Sequence, residues 1–206
     1  MTTDALMLLS SHCPHCPAVL AAVSELVKRG TIGRLEVVNI EVNPDAAAAL
    51  GVRTVPWLRL GPFELTGART PGELETWARR AVAPDGMAEA FHDLLKTGDL
   101  RQVLALLEAD PARLAALLPI VGNPEASINV RLGAGVAFEA YADAEPLHAL
   151  VPALGALSEH ADARVRADAC HYLGLSGAAA RPWLEARLND PDPDVREIAR
   201  DGVTER

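Results

Sequence analysis

Aromatic residues make up only 4% of this 206-residue chain. Alanine and leucine dominate its apolar half instead, which favours closely packed helices over an all-β sandwich. Long hydrophobic runs are absent. Nothing approaches the ~18 consecutive apolar residues of a membrane span. The first residues, MTTDALMLLSSHC, hold no basic n-region and only a short apolar run, Ala5 to Leu9, which predicts no secretory signal. Basic charge is in deficit, with a formal net charge of −9. That excludes a general electrostatic grip on nucleic acid or on an anionic membrane. Cysteine is scarce as well, and three in a chain of this length do not make a disulfide framework. These absences predict a cytoplasmic protein with neither nucleic acid nor membrane among its partners.

What is present divides into two compositions. Residues 5–10 (ALMLLS) predict a buried strand. A helix follows, with Val19, Leu20, Val23, Leu26 and Val27 on one side and Pro14 in its first turn; Lys28-Arg29-Gly30 ends it. The alternating, β-branched stretch 34–42 (RLEVVNIEV) predicts a second strand. Pro44 to Leu50 predicts a short helix closed by Gly51. Strands are expected at 54–60 and 62–66, with Gly61-Pro62 as the turn. Thr70, Pro71 and Glu73 have the spacing of a capping box that opens a helix running to about Val82. The expected order is β-α-β-α-β-β-α over residues 1–83.

Ala83-Pro84-Asp85-Gly86 breaks this pattern and is the expected boundary. Residues 87–206 read as helices of 10–15 residues joined by short Gly/Pro/Asp loops. They also repeat: His160–Ala169 aligns with Asp190–Ala199, 30 residues on, and a weaker copy around Asn129-Val130-Arg131 lies 35 residues earlier.

The chemistry-bearing stretch is Cys13-Pro14-His15-Cys16. Two thiols at this spacing can close a small disulfide ring or form half of a metal site. There is no second CxxC and no HxxxH to complete a zinc site, so no metal is expected. A strand precedes the pair, and Thr54-Val55-Pro56 lies 43 residues beyond Cys13 (56 − 13) at the start of a predicted strand. On these residues, 1–82 resembles a minimal thioredoxin-fold domain, with the active-site tetrapeptide of DsbA-like oxidases. The resemblance implies an α/β thioredoxin-like fold and a thiol–disulfide oxidoreductase. Cys13 would be the nucleophile and Cys16 the buried resolving thiol. His15 would tune the Cys13 thiolate at the helix N-terminus, with Pro14 between. Pro56 would be cis, and the Thr54–Val55 backbone would meet an extended substrate. Two positions depart from the family: Met7 stands where a buried aspartate helps deprotonate the second cysteine, and His12 where tryptophan is common. His12 reads as solvent-exposed, Trp57 as packing, and Glu36 and Glu41 as solvated positions on the second strand.

Residues 160–203 resemble HEAT repeats, carried by Val165-Arg166 and Val195-Arg196, with Asp162 and Asp192 as helix caps. The resemblance implies an all-α repeat domain with a surface for a protein partner. Residues 87–122 are expected to be a divergent cap. Cys170 reads as a small core residue, the alternative being a third redox thiol. His171 reads as a surface residue. The expected activity is exchange with protein disulfides or dithiols, with electrons from another thiol system and no bound cofactor. The alternative is a non-catalytic adaptor whose CPHC is regulatory or metal-linked.

Overall fold

A computed structural model describes residues 2–204. The chain forms two compact units, Met1–Ala90 and Phe91–Arg206.

The first unit is a four-stranded mixed sheet with helices on both faces. β1 (Thr3–Leu9), β2 (Ile32–Asn39), β3 (Trp57–Leu60) and β4 (Phe63–Thr66) lie in the order β2-β1-β3-β4. β1 runs parallel to β2 and antiparallel to β3, and β3 and β4 form a hairpin. Three helices complete it: α1 (Cys16–Lys28), α2 (Pro44–Ala49) and α3 (Pro71–Arg80). The β-α-β-α-β-β-α order is the one the sequence predicts. The alternation of β1 divides the core. Ala5 and Met7 pack with Val19 and Val23 of α1 and Leu74 and Ala78 of α3. Leu8 faces the other way, onto Trp57 and Ala47 of α2. The capping box forms as expected: Thr70 Oγ1 accepts the Glu73 N–H at 3.3 Å, and Glu73 Oε2 accepts the Thr70 N–H at 2.7 Å.

Strand ends differ from the sequence reading. β2 spans Ile32–Asn39 rather than 34–42, so Glu41 lies in the turn after it, where the chain bends back (Asn43 N–H to Asn39 O, 2.9 Å). β3 opens at Trp57, not Thr54, because Pro56 offers no N–H to the ladder; the Val55–Pro56 peptide is cis.

The second unit holds no strand among the described residues. α4 (Gly86–Lys96) runs across the division. It is followed by α5 (Leu100–Ala109), a 3₁₀ segment (Pro111–Leu117), α6 (Leu118–Val121), α7 (Ile128–Glu139), α8 (Glu145–His148), α9 (Val151–Leu157), α10 (Ala163–Gly174), α11 (Arg181–Arg187) and α12 (Pro193–Thr204). The second helix of each repeat has 12 residues, but the first ones are shorter than the 10–15 expected, with four in α6 and seven each in α9 and α11. Proline is the cause: Pro119, Pro152 and Pro182 stand second in these helices, inside the first turn, and oppose continuation from the preceding turn.

The repeat register is visible in burial. Val130, Val165 and Val195 are buried, as are Ala134, Ala169 and Ala199. Asp162 and Asp192 cap their helices, accepting N–H bonds at 2.8 and 2.9 Å. Arg166 ties one repeat to the next. It makes a two-pronged pair with Asp190 (2.9 and 2.8 Å) and donates to the His160 and Ala161 carbonyls. Arg196 reaches the Asp190 and Pro191 carbonyls at the same offsets. Arg131 occupies the same register, but the position matching Asp190 is His160 in its case. It pairs with Asp168 of α10 instead.

Candidate active site

The dithiol sits where β1 gives way to α1. Cys13 and Cys16 are joined as a disulfide with their Cα atoms 5.5 Å apart, within the usual span of a bridge. The helix starts later than the sequence suggests. Its first residue is Cys16, His15 is the N-cap, and the proline of the first turn is Pro17 rather than Pro14. Cys13, Pro14 and His15 therefore form a turn ahead of the helix. The Cys13 N–H donates to Ser10 O at 3.3 Å and the Cys16 N–H to Cys13 O at 3.4 Å.

That turn gives the two sulfurs different surroundings. The Cys16 N–H also lies 3.1 Å from Cys13 Sγ, a donor aimed at the sulfur that would carry negative charge on reduction. Cys13 is 9% exposed and Cys16 2%, both within the α1–sheet–α3 core. The side chains of Pro14 and His15 stand on the exposed outer side of the turn. Met7 is fully buried in the same cluster, so the place of the family's buried carboxylate is apolar.

The cis-Pro loop reaches this cluster through one residue. Val55 is partly buried and packs against the group containing both cysteines. Pro56 is buried, and its carbonyl accepts the Gly67 N–H at 2.8 Å, which fixes the loop against the end of β4. Thr54 is exposed, and no bond joins it to the dithiol. Trp57 packs under the loop with Leu8 and Ala47.

One polar network beside the dithiol has no signature in the linear sequence. His12 Nδ1 lies 3.0 Å from Glu41 Oε1. Asn39 Nδ2 donates to Ser11 Oγ at 2.9 Å, and the Glu41 N–H donates to Asn39 Oδ1 at 2.9 Å. The bonds to His12 and Ser11 hold the Glu41 carboxyl below its ordinary range. His12 is exposed as expected, but Glu41 is its partner rather than an unattached strand residue. The signal was the parallel β1–β2 pairing, which brings the loops after both strands to one end of the sheet. We expect His12→Ala to raise the Glu41 carboxyl toward its ordinary range, Ser11 still lowering it in part. A carboxyl-carbon NMR titration would show this as an upward move, and an unmoved midpoint would deny His12 the leading role.

Among the described residues no three His, Cys, Asp or Glu side chains group so as to hold a metal ion. Cys170 lies fully buried on α10, and desolvation pushes its thiol up to about 11. At pH 8 its thiolate fraction is about 10⁻³. Native, reduced protein should therefore take iodoacetamide at Cys13 and leave Cys170 unlabelled until it is unfolded. Mass spectrometry reads the result, and rapid native labelling of Cys170 would restore its candidacy as a redox thiol. His171 is half-exposed, 3.5 Å from Glu139.

Fold and site together define the class: a mixed-sheet unit with a CxxC disulfide at the head of its first helix, followed by an α-helical repeat unit. Residues 5–79 match the family model of the thioredoxin domain, and residues 114–203 match that of HEAT repeats. The chain thus carries a thioredoxin-like domain followed by HEAT-like repeats. The second match extends the repeats through the weak copy at Asn129 and into part of the region expected to be a divergent cap. No curated protein matches the chain. The thioredoxin-like domain with its close cysteine pair supports a thiol or redox function in general. The HEAT-like repeats suggest protein–protein interaction. No helix of the described residues is long and apolar enough to cross a membrane.

Proposed function

We propose that the protein is a thiol–disulfide oxidoreductase acting on protein disulfides, with residues 1–83 as the exchange module and 87–206 as the docking module. The observation that carries this reading is the asymmetry of the pair. Cys13 is the more exposed residue of the two and its Sγ receives the Cys16 N–H, while Cys16 is the more buried.

In the reducing direction, the Cys13 thiolate attacks one sulfur of a substrate disulfide. A Cys13–substrate bond forms and one substrate thiolate leaves. The Cys16 thiol gives up its proton and attacks Cys13 Sγ, releasing the second substrate thiolate. The substrate gains two electrons and the pair becomes a disulfide. With Met7 in place of a buried carboxylate, the base at hand for Cys16 is the departing substrate thiolate or water. A thiol of another redox system returns the pair to the dithiol, and no bound cofactor takes part. Pro14 and His15 form the face that substrate meets, with His15 as the residue that tunes Cys13. Thr54, Val55 and Pro56 supply the backbone edge for an extended substrate segment.

Equilibration in glutathione buffers, with Cys13–Cys16 oxidation read by mass spectrometry, tests this. The pair should titrate as one two-electron couple between about −270 and −120 mV, the range spanned by thiol reductants and oxidants. A pair that does not equilibrate removes the oxidoreductase reading.

A further inference from the structure

α7, α10 and α12 are second helices of successive repeats, and their shared register fixes which residues line one face. With the valines and alanines at 130/134, 165/169 and 195/199 buried, positions 128/132/136, 163/167/171 and 193/197/201 form an outward row of i, i+4 steps. On α7 this row is Ile128, Leu132 and Val136, exposed by 65%, 62% and 43%. They are three of the six large exposed hydrophobics of the described residues, gathered in one stripe rather than scattered. On α10 the row is Ala163, Ala167 and His171, and on α12 it is Pro193, Glu197 and Asp201. The surface grades from large apolar, through small, to acidic.

The acidic end is uncompensated. Asp194, Glu197 and Asp201 are all exposed and make no ion pair among the described residues. The arginines next to the row are engaged, Arg131 by Asp168 and Arg164 by Asp162. Neighbouring helix axes lie about 8–10 Å apart, so the apolar stripe and the carboxylates are about 20 Å apart, within reach of a single partner segment.

We infer that this row docks a partner protein through an amphipathic helix, its apolar side chains on Ile128, Leu132 and Val136 and its lysines or arginines on Glu197 and Asp201. The inference rests on the reading of the helical unit as a docking module. Three apolar side chains on successive turns match the spacing of a helix face, Ala163 and Ala167 leave the middle of the row low, and the carboxylates select cations. A second copy of this chain, itself at −9, fits the acidic end poorly.

Binding of a fluorescent Leu/Lys amphipathic peptide to the full chain, compared with its Leu/Glu counterpart, tests the proposal. The Leu/Lys peptide should bind and the Leu/Glu peptide should not. Leu132→Asp should weaken binding at least about tenfold, the loss expected when one leucine contact is removed, and Glu197→Lys severalfold. Non-specific attraction to negative charge predicts the reverse for Leu132→Asp, because that variant is more acidic. Unchanged or tighter binding by Leu132→Asp, or equal binding of the two peptides, overturns the proposal. So does concentration-dependent self-association that Leu132→Asp abolishes, which would make the row a self-interface. Leu132 is on the surface, and a melting curve checks that the variant folds. Turnover of a small disulfide is followed on the same samples. Turnover without peptide binding ends the docking proposal alone, and peptide binding without turnover ends the oxidoreductase reading alone.

Discussion

Cys16→Ser should accumulate mixed disulfides through Cys13, whereas Cys13→Ser should accumulate almost none and lose at least roughly a thousandfold in exchange rate. The difference comes from position. Cys13 lies in the turn ahead of α1, more exposed than Cys16, with the Cys16 N–H aimed at its sulfur. It can meet a substrate disulfide, and its thiolate has a hydrogen-bond donor. Cys16, 2% exposed, is sheltered from protein substrates. Its use is intramolecular, where proximity gives the resolving step an effective concentration far above that of any free thiol. Without Cys16 the mixed disulfide forms and waits. Without Cys13 the attack does not start. Non-reducing gels of the two variants with a disulfide-bonded protein, followed by mass spectrometry of the linked peptides, measure this. Equal trapping by both, or trapping by neither, would favour an adaptor whose cysteine pair is regulatory.

The largest effect on stability is expected at Asp190. Asp190→Ala should destabilise the helical unit by roughly 2–4 kcal/mol and lower its melting temperature by about 10 °C. Both side chains of the Arg166–Asp190 pair are buried, and Arg166 also bonds the His160 and Ala161 carbonyls. Removing the carboxylate leaves a guanidinium short of partners in a nearly dry joint between repeats. Glu197→Gln, an exposed charge on α12, should stay within about 0.5 kcal/mol and serves as the control. The pair also makes stability depend on pH. Arg166, as the leading cause, holds the Asp190 carboxyl below the ordinary carboxylate range, so the unfolded chain takes up this proton at a higher pH than the folded one. The pair's contribution is therefore complete above pH ~4 and fades as the pH falls below it. The melting-temperature difference between wild type and Asp190→Ala should be smaller at pH 3 than at pH 7. An undiminished difference at pH 3 would assign the effect to packing rather than charge.

Much of this architecture is legible along the chain because it rests on local rules. Helix α1 ends at Lys28 as its cations and Gly30 suggest, and the Thr70–Glu73 box needs only its own four residues. The repeat register emerges from the recurrence of Val-Arg and Ala at fixed offsets. Less legible are features that depend on which strand lies beside which. Glu41 reads as an unattached strand residue until β2 is known to end at Asn39 and to run parallel to β1. The start of α1 slips as well: Pro14 and Pro17 can each open a helix, and the turn held by Ser10 and Cys13 decides for Pro17.

By itself the sequence determined the element order, a CPHC pair at the junction of a strand and a helix, the Val55–Pro56 dipeptide ahead of the third strand and the repeat period. Each is written in spacing and residue type within a short window. The tertiary structure alone decided that the Cys16 N–H is aimed at Cys13 Sγ, that Val55 packs on the cluster holding both cysteines, and that His12 has Glu41 beside it. It also decided that Arg166 pairs with Asp190 while Arg131, in the same register, turns to Asp168. The physical reason is common to all of these. Burial and hydrogen bonding belong to groups brought together across the fold, and linear spacing does not encode which groups those are.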